Sequence, residues 1–380
     1  MINGKYIDKE DKARTCIHNH RHVSLNSLLA LYHTLLNPNF IQSDNMQVVS
    51  AQPTGNNSSI RWFFKDKGFD DKSIDVLLKK CKRLEDVQRE KADENWGYLT
   101  SIGIQERKLP NVISRCPKIL SLGLNEKLIP MVQFLGTLLG TKPNDIASAI
   151  TKFPQILAHS VEEKLCPLLA FFESLGIHEN QLGKMLMFNP RIISYSIESK
   201  LAQIVEFLSS LGLNNEVIGK VLVKNPSIMG YGVDKRLRPT SEFLLSLGLA
   251  EKELQTLAIN YPEVLCRDAK KVLNSHVTYL KKCGFQDQHI AALVTGYPPI
   301  LIKSIKNSLK PRIKFLVDVM GRQIEEAANY PEFFRYGMKK RLESRQKLLA
   351  QRSIHCSLSE MLDCNEKKFL LRFGLADQLA

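Results

Sequence analysis

Seven prolines stand at nearly equal intervals along this chain, and that spacing leaves few folds open to it. Pro117, Pro154, Pro190, Pro226, Pro262, Pro298 and Pro331 are separated by 37, 36, 36, 36, 36 and 33 residues. A second ladder of the same period is made of glycines: Gly68, Gly103, Gly140, Gly176, Gly212, Gly248, Gly284 and Gly321. Self-similarity at a fixed period of about 20–50 residues is the signature of stacked repeats. The residues between the rungs repeat as well. Asn189-Pro190-Arg191-Ile192-Ile193, Asn225-Pro226-Ser227-Ile228-Met229 and Tyr261-Pro262-Glu263-Val264-Leu265 share one form. Eleven residues after each proline comes a leucine: Leu128, Leu165, Leu201, Leu237, Leu273, Leu309 and Leu342.

The physics of one unit follows from its residues. Asn214 can cap a helix on which Val217, Ile218, Val221 and Leu222 share a face. Proline stops that helix, because its ring turns the preceding residue away from the helical region and it has no N–H. A short apolar turn, of 3₁₀ type, should follow. A second amphipathic helix then carries Leu201, Ile204, Val205, Leu208 and Leu211, and Gly212 ends it in the left-handed region that a Cβ disfavours. Two such helices cannot bury their apolar faces alone, whereas stacked units can. The expected fold is an all-α solenoid, right-handed or a half-ring, of about eight 36-residue helix-turn-helix units with a concave groove. The first unit is degenerate, with Lys82 in the proline slot. The expected organisation is a leader over 1–58, mostly disordered and a candidate targeting segment, with one candidate helix over 25–36. The repeat domain covers 59–350, and a capping helix and tail cover 351–380.

Charge narrows the function. The 380 residues carry 53 Lys and Arg against 39 Asp and Glu, a net of +14, which favours polyanionic partners, nucleic acid first and anionic membrane surface second. Half of that excess, +7, falls within residues 301–350. There is no run of 18 apolar residues to span a membrane. The N-terminus has no secretory apolar core, and Asp8, Glu10 and Asp11 come early for a transit peptide. The eight cysteines form no C-x-x-C pair and sit mostly in apolar stretches, which reads as thiols used as small hydrophobes in a reducing compartment. Cys16, His18, His20 and His22 alternate like metal ligands, but their polar surroundings read as a solvated basic tail. No phosphate loop, H-E-x-x-H or G-x-S-x-G occurs, so no enzyme, cofactor or metal is expected.

The recurring x-Pro-x-Ile/Leu-Leu/Ile, then Lys-Leu-x-Pro, then Phe-Leu-x-x-Leu-Gly resembles the mitochondrial transcription termination factor (mTERF) family, in its plant organellar branch. Glu163-Lys164-Leu165-Cys166-Pro167, Lys235-Arg236-Leu237-Arg238-Pro239 and the stretch from Tyr330 to Leu342 carry the resemblance, which covers about residues 60–372. Where family members have Pro-Arg, this chain has Ser344-Arg345. The resemblance implies a half-ring of helical repeats, a chloroplast or mitochondrial location, and nucleic-acid binding along a basic groove. It also implies work in transcription termination or transcript maturation, alongside organellar transcription or processing proteins.

One column of the repeat is basic. Ten residues after the ladder proline stand Lys127, Lys164, Lys200, Arg236, Val272, Ser308 and Arg341. A cation at the start of a helix opposes the dipole there, which hints at another use, such as holding phosphate. Arg238, Lys310, Arg312, Lys314, Arg335, Lys339, Lys340 and Arg345 extend the candidate surface. Tyr195, Tyr231 and Tyr336 follow the turn and could stack on bases, or pack within apolar clusters. The leading expectation is a monomeric clamp on double-stranded DNA acting in transcription termination or regulation. The alternatives are an RNA-binding factor for transcript or tRNA maturation, and a protein-interaction scaffold.

Overall fold

The computed structural model describes residues 59–139 and 143–374, and the chain divides into two compact units at Ala202/Gln203. The leader, its candidate helix over 25–36 and the Cys16-His18-His20-His22 cluster lie outside the described residues. The described residues are helical, with no strand among them.

Unit 1 contains α1 (Ile60–Asp66), α2 (Asp71–Lys80), α3 (Arg89–Ser101), α4 (Leu109–Arg115), α5 (Ile129–Leu139), α6 (Pro143–Lys152), α7 (Cys166–Glu173) and α8 (Glu179–Phe188). The division falls at the start of α9 (Ala202–Ser210). Unit 2 continues with α10 (Asn215–Lys224), α11 (Arg238–Ser246), α12 (Glu251–Asn260), α13 (Pro262–Leu265), α14 (Asn274–Lys282), α15 (Asp287–Gly296), α16 (Lys310–Lys314), α17 (Ile324–Asn329), α18 (Ser344–Gln351), α19 (Leu358–Leu362) and α20 (Glu366–Arg372). The all-α repeat architecture expected from the ladders is the one observed.

Each rung of the proline ladder does what its chemistry dictates. The residue before proline is extended, as at Cys116 (φ −138°, ψ 74°) and Asn189 (φ −139°, ψ 81°). A 3₁₀ turn follows, except after Pro262, where the short α13 takes its place; it is closed by i→i+3 bonds such as Ile192 N–H to Asn189 O (3.2 Å) and Ile228 N–H to Asn225 O (3.1 Å). Both apolar residues of that turn are buried in every unit, from Ile119 and Leu120 to Phe333 and Phe334. The turn is therefore part of the core, and it supplies much of the apolar area that stacking removes from water.

The second helix opens in a way the period did not reveal. The column leucine makes an i→i+5 bond: Leu165 to Ser160 O, Leu201 to Ser196 O, Leu237 to Gly232 O, Leu273 to Asp268 O and Leu309 to Ser304 O. Each of these helices starts with one wide π turn, a form rare elsewhere and usually an inserted residue. The first unit lacks it: α3 opens with an ordinary bond from Ala92 N–H to Gln88 O (3.2 Å).

The glycine ladder ends the second helices at positive φ, for example Gly212 at +87° and Gly248 at +97°. Its next rung is not glycine. Ser353 takes the same place after α18 at φ +51°, with Ile354 N–H reaching back to Leu349 O (2.9 Å).

Within each unit, polar side chains join one repeat to the next. Eight residues before the ladder glycine, Asn95, Thr240 and His276 are buried and reach the carbonyl that ends the following 3₁₀ turn. Asn95 donates to Leu122 O (3.0 Å) and Thr240 to Arg267 O (2.8 Å), while His276 Nε2 lies 2.7 Å from Lys303 O. Arg312 continues the column one residue out of step, because a second π turn over Phe315–Val319 adds a residue; it donates to Tyr336 O (2.8 Å). These carbonyls leave the helical ladder and have no partner of their own, so a buried donor from the neighbour meets a need that would otherwise be costly.

A second set of joints lies two residues before the ladder proline. Lys80 donates to Ser114 O (2.9 Å), Arg115 to Thr151 O (2.9 Å), Lys152 to Met187 O (3.0 Å) and Lys224 to Asn260 O (2.5 Å). A cation on the closing carbonyls of a neighbouring helix also suits that helix's dipole.

The two ends of the described repeats are closed by different means. In unit 1, α1 stands ahead of the first full repeat, with Phe63 edge-on to Trp96 (5.8 Å) and Phe64 edge-on to Phe69 (5.2 Å). In unit 2, Ser357 and Glu360 form a reciprocal cap on α19, and Asn365 caps α20. Leu358, Met361, Leu362, Phe369 and Leu370 are buried beneath them.

Candidate nucleic-acid interface

The candidate cations fall into two groups. One group turns inward to the following repeat. Lys164 Nζ donates to Tyr195 O (2.6 Å), and Arg236 pairs with Asp268 (2.7 Å), which caps the next π turn by accepting from Lys271 N–H (2.8 Å). Arg341 donates to Leu362 O (2.6 Å) and Cys364 O (2.5 Å), and its guanidinium lies 4.3 Å from the Tyr336 ring centre. Arg345 is 1% exposed and donates to Met361 O (2.6 Å) and Cys364 O (2.9 Å), with Phe369 against its guanidinium plane. Arg312 is half-buried and bonds Ser308 O as well as Tyr336 O. Burial pulls its basicity below the ordinary guanidinium value, and Lys200 is likewise pulled down by burial beside the Tyr195 ring.

The other group faces solvent. Arg238, Lys310, Lys314, Arg335 and Lys340 are exposed, and Lys127 is half-exposed on the π turn of its repeat. Among the described residues, the acid partners of Arg238 and Arg335 are local ones, Asp234 (3.3 Å) and Glu332 (3.3 Å). Two of the tyrosines after the turn make contacts within the fold: Tyr195 gives its carbonyl to Lys164 and its ring to Lys200, and the Tyr336 hydroxyl lies 3.2 Å from that of Tyr330.

Two neighbouring columns carry a pattern that the ten-residue column hid. Eight residues after the proline stand Asn125, Glu162, Glu198, Asp234, Lys270, Lys306 and Lys339; nine after it stand Glu126, Glu163, Ser199, Lys235, Lys271, Asn307 and Lys340. All fourteen are exposed, on the first residues of the π turns. The sign reverses along the chain. Unit 1 presents glutamates, which the helix dipole favours at that place, while unit 2 presents lysines from Lys235 onward, which it disfavours. Nothing in helix stability asks for lysine there. The same register count that found the ten-residue column would have found these two.

Among the described residues, no group of three or more His, Cys, Asp or Glu is placed to hold a metal ion, and no helix is long and apolar enough to cross a membrane. The described cysteines are all free thiols. Burial pushes the Cys166 thiol up, and Cys266 up to about 12, as expected of thiols packed as small hydrophobes.

The chain is similar to known proteins over most of its length. It is 68% identical over 328 residues to the transcription termination factor MTERF6, chloroplastic/mitochondrial, of Arabidopsis thaliana, a match covering 86% of this chain and 98% of that protein. Shorter similarities reach the chloroplastic transcription termination factor MTERF4 of Arabidopsis thaliana (34% over 55 residues, 14% of this chain and 10% of that one) and of Oryza sativa subsp. japonica (32% over 56 residues, 15% and 11%). The mTERF family profile matches residues 62–370, and with the two ladders, the buried 3₁₀ turns and the joints between repeats this shows that the chain belongs to the mTERF family.

Proposed function

We propose that the chain is an organellar gene-expression factor of chloroplasts or mitochondria that binds double-stranded DNA through the exposed lysines of unit 2 and acts in transcription termination or regulation. The observation that carries this reading is the reversal of charge at the second-helix starts. Lys235, Lys270, Lys271, Lys306, Lys339 and Lys340 stand at equivalent places of successive repeats, so they form rows. Rows of lysine engage phosphates as point charges and give affinity without base choice. Arg238, Lys310, Lys314 and Arg335 add to the surface, and Lys164, Arg236, Arg312, Arg341 and Arg345 act by holding the repeats in register. The organelle and the step in gene expression are carried over from the MTERF6 relative.

The test is binding of the full chain to duplex DNA, single-stranded RNA and structured RNA across a salt series. For a multi-phosphate contact, log affinity falls steeply with log salt. Replacing Lys270, Lys271, Lys306, Lys339 and Lys340 by glutamate should flatten that slope and weaken duplex binding, with the fold intact by circular dichroism. A preference for structured RNA would move the reading to transcript maturation. Wild-type binding by the reversed variant would sink it.

A further inference from the structure

In unit 1 the column of cations that staples the first helices breaks at one place. Lys80, Arg115 and Lys152 end α2, α4 and α6, each holding carbonyls of the next helix. The fourth helix, α8, ends instead in Phe188, which is 65% exposed. A phenyl ring left that far in water gives up stabilisation that burial would supply, and a Lys at this position would have cost nothing. Phe188 forms one wall of a groove of ≈ 540 Å³. Arg115, Lys152, Gln155 and Arg191 line it with Phe188, so three successive repeats each contribute a cation and no carboxylate enters it. Arg191 is exposed and has no acidic partner among the described residues. Gln155 donates to Arg115 O (3.1 Å), while its amide oxygen is buried without a donor among the described residues.

We infer that this groove binds a single-stranded segment of nucleic acid, with one base stacked on Phe188 and a flanking phosphate held by Arg191, while Arg115 and Lys152 add positive charge to the groove from their places on the neighbouring carbonyls. An exposed aromatic among cations is the arrangement that takes single strands without sequence preference, because every base has a π face and a phosphate on either side. A duplex keeps its bases stacked on one another and offers none to Phe188, so the site discriminates single strands from duplex. This deepens the proposed function and rests on it. The lysine rows of unit 2 hold phosphate in any form, and the Phe188 groove adds an unpaired strand, such as the displaced strand or the transcript at an opened duplex.

The experiment uses the full chain with a fluorescent 20-nucleotide oligouridylate and a blunt 20-base-pair DNA duplex. Phe188→Ala should weaken oligouridylate binding about tenfold, within the range for loss of one stacked base, and leave duplex binding unchanged. Phe188→Trp should restore it, and ultraviolet crosslinking should join uridine to Phe188 in the wild type. Unchanged oligouridylate binding by Phe188→Ala, with duplex still bound by the wild type, overturns the groove proposal alone. Equal loss of both ligands on Phe188→Ala also overturns it, since a stacking site cannot do that. Failure of the wild type to bind either ligand at low salt overturns the proposed function and this inference with it.

Discussion

Gly296, the last residue of α15, lies so close to Pro331 of the next repeat that a Cβ built on it would stand 2.6 Å from Pro331 Cγ and 2.9 Å from its Cβ. The position is the one where Lys80, Arg115, Lys152 and Lys224 place their staples. The closest step of the proline ladder, 33 residues, falls here. A side chain is excluded because the neighbour is a proline ring, which cannot swing aside. Gly296→Ala should therefore destabilise by about 1–2 kcal/mol despite alanine's better helix propensity, as overpacking outweighs that gain. Urea unfolding would show a lower midpoint, and an unchanged or raised midpoint would contradict the close approach.

The joint at Asp268 predicts an acid-sensitive contribution to stability. Its carboxyl is held below the ordinary value, first by the Lys271 N–H it caps and then by Arg236. A carboxyl depressed by folding contributes stability above its unfolded value, and that contribution is lost as pH falls through the folded value. Asp268→Asn should lower Tm at neutral pH. The gap between wild type and variant should close as pH drops below the ordinary carboxyl range. A gap that stays constant down to pH 2.5 would mean that the ion pair contributes nothing.

Arg345 separates a structural cation from a binding one. It is 1% exposed and satisfies Met361 O and Cys364 O together. Arg345→Met should cost about 2–3 kcal/mol, because it removes charge-assisted bonds and takes the donor from Met361 O, while Cys364 O keeps Arg341. The effect should appear as faster amide exchange over 358–372. Lys340→Met, at an exposed position, should stay within about 0.5 kcal/mol and act on nucleic-acid affinity instead. Equal effects of the two variants on stability would contradict the division into inward and outward cations.

Ser353 holds the last rung of the glycine ladder at φ +51°. A non-glycine residue in the left-handed region costs roughly 1–2 kcal/mol. Replacing it by glycine relieves that strain and adds chain entropy to the unfolded state. Ser353→Gly should raise stability by about 0.5–1 kcal/mol, the difference of those two effects. A fall in Tm would show that the serine hydroxyl is needed where it stands.

The architecture was legible in the sequence because its determinants are local. Pro190 stops a helix through its own ring, Asn214 caps through its own side chain, and Gly212 accepts a positive φ through its own missing Cβ. None of these depends on a distant partner, and their period told the rest. The basic column was legible too, as Lys164, Arg236 and Arg341 in register, but not the direction in which its members face. That direction depends on two things hidden from local reading. The π turn at the start of the second helices, from the second unit onward, inserts a residue, and one residue turns a helix face by about 100°. The carbonyls that receive the inward cations lie far along the chain, as Tyr195 does from Lys164 and Cys364 from Arg345. The sequence by itself thus determined the repeat, its helices and its turns. Only the packing of one repeat on the next decided which cations are consumed by orphan carbonyls and which, like Lys270, Lys306 and Lys339, remain in water.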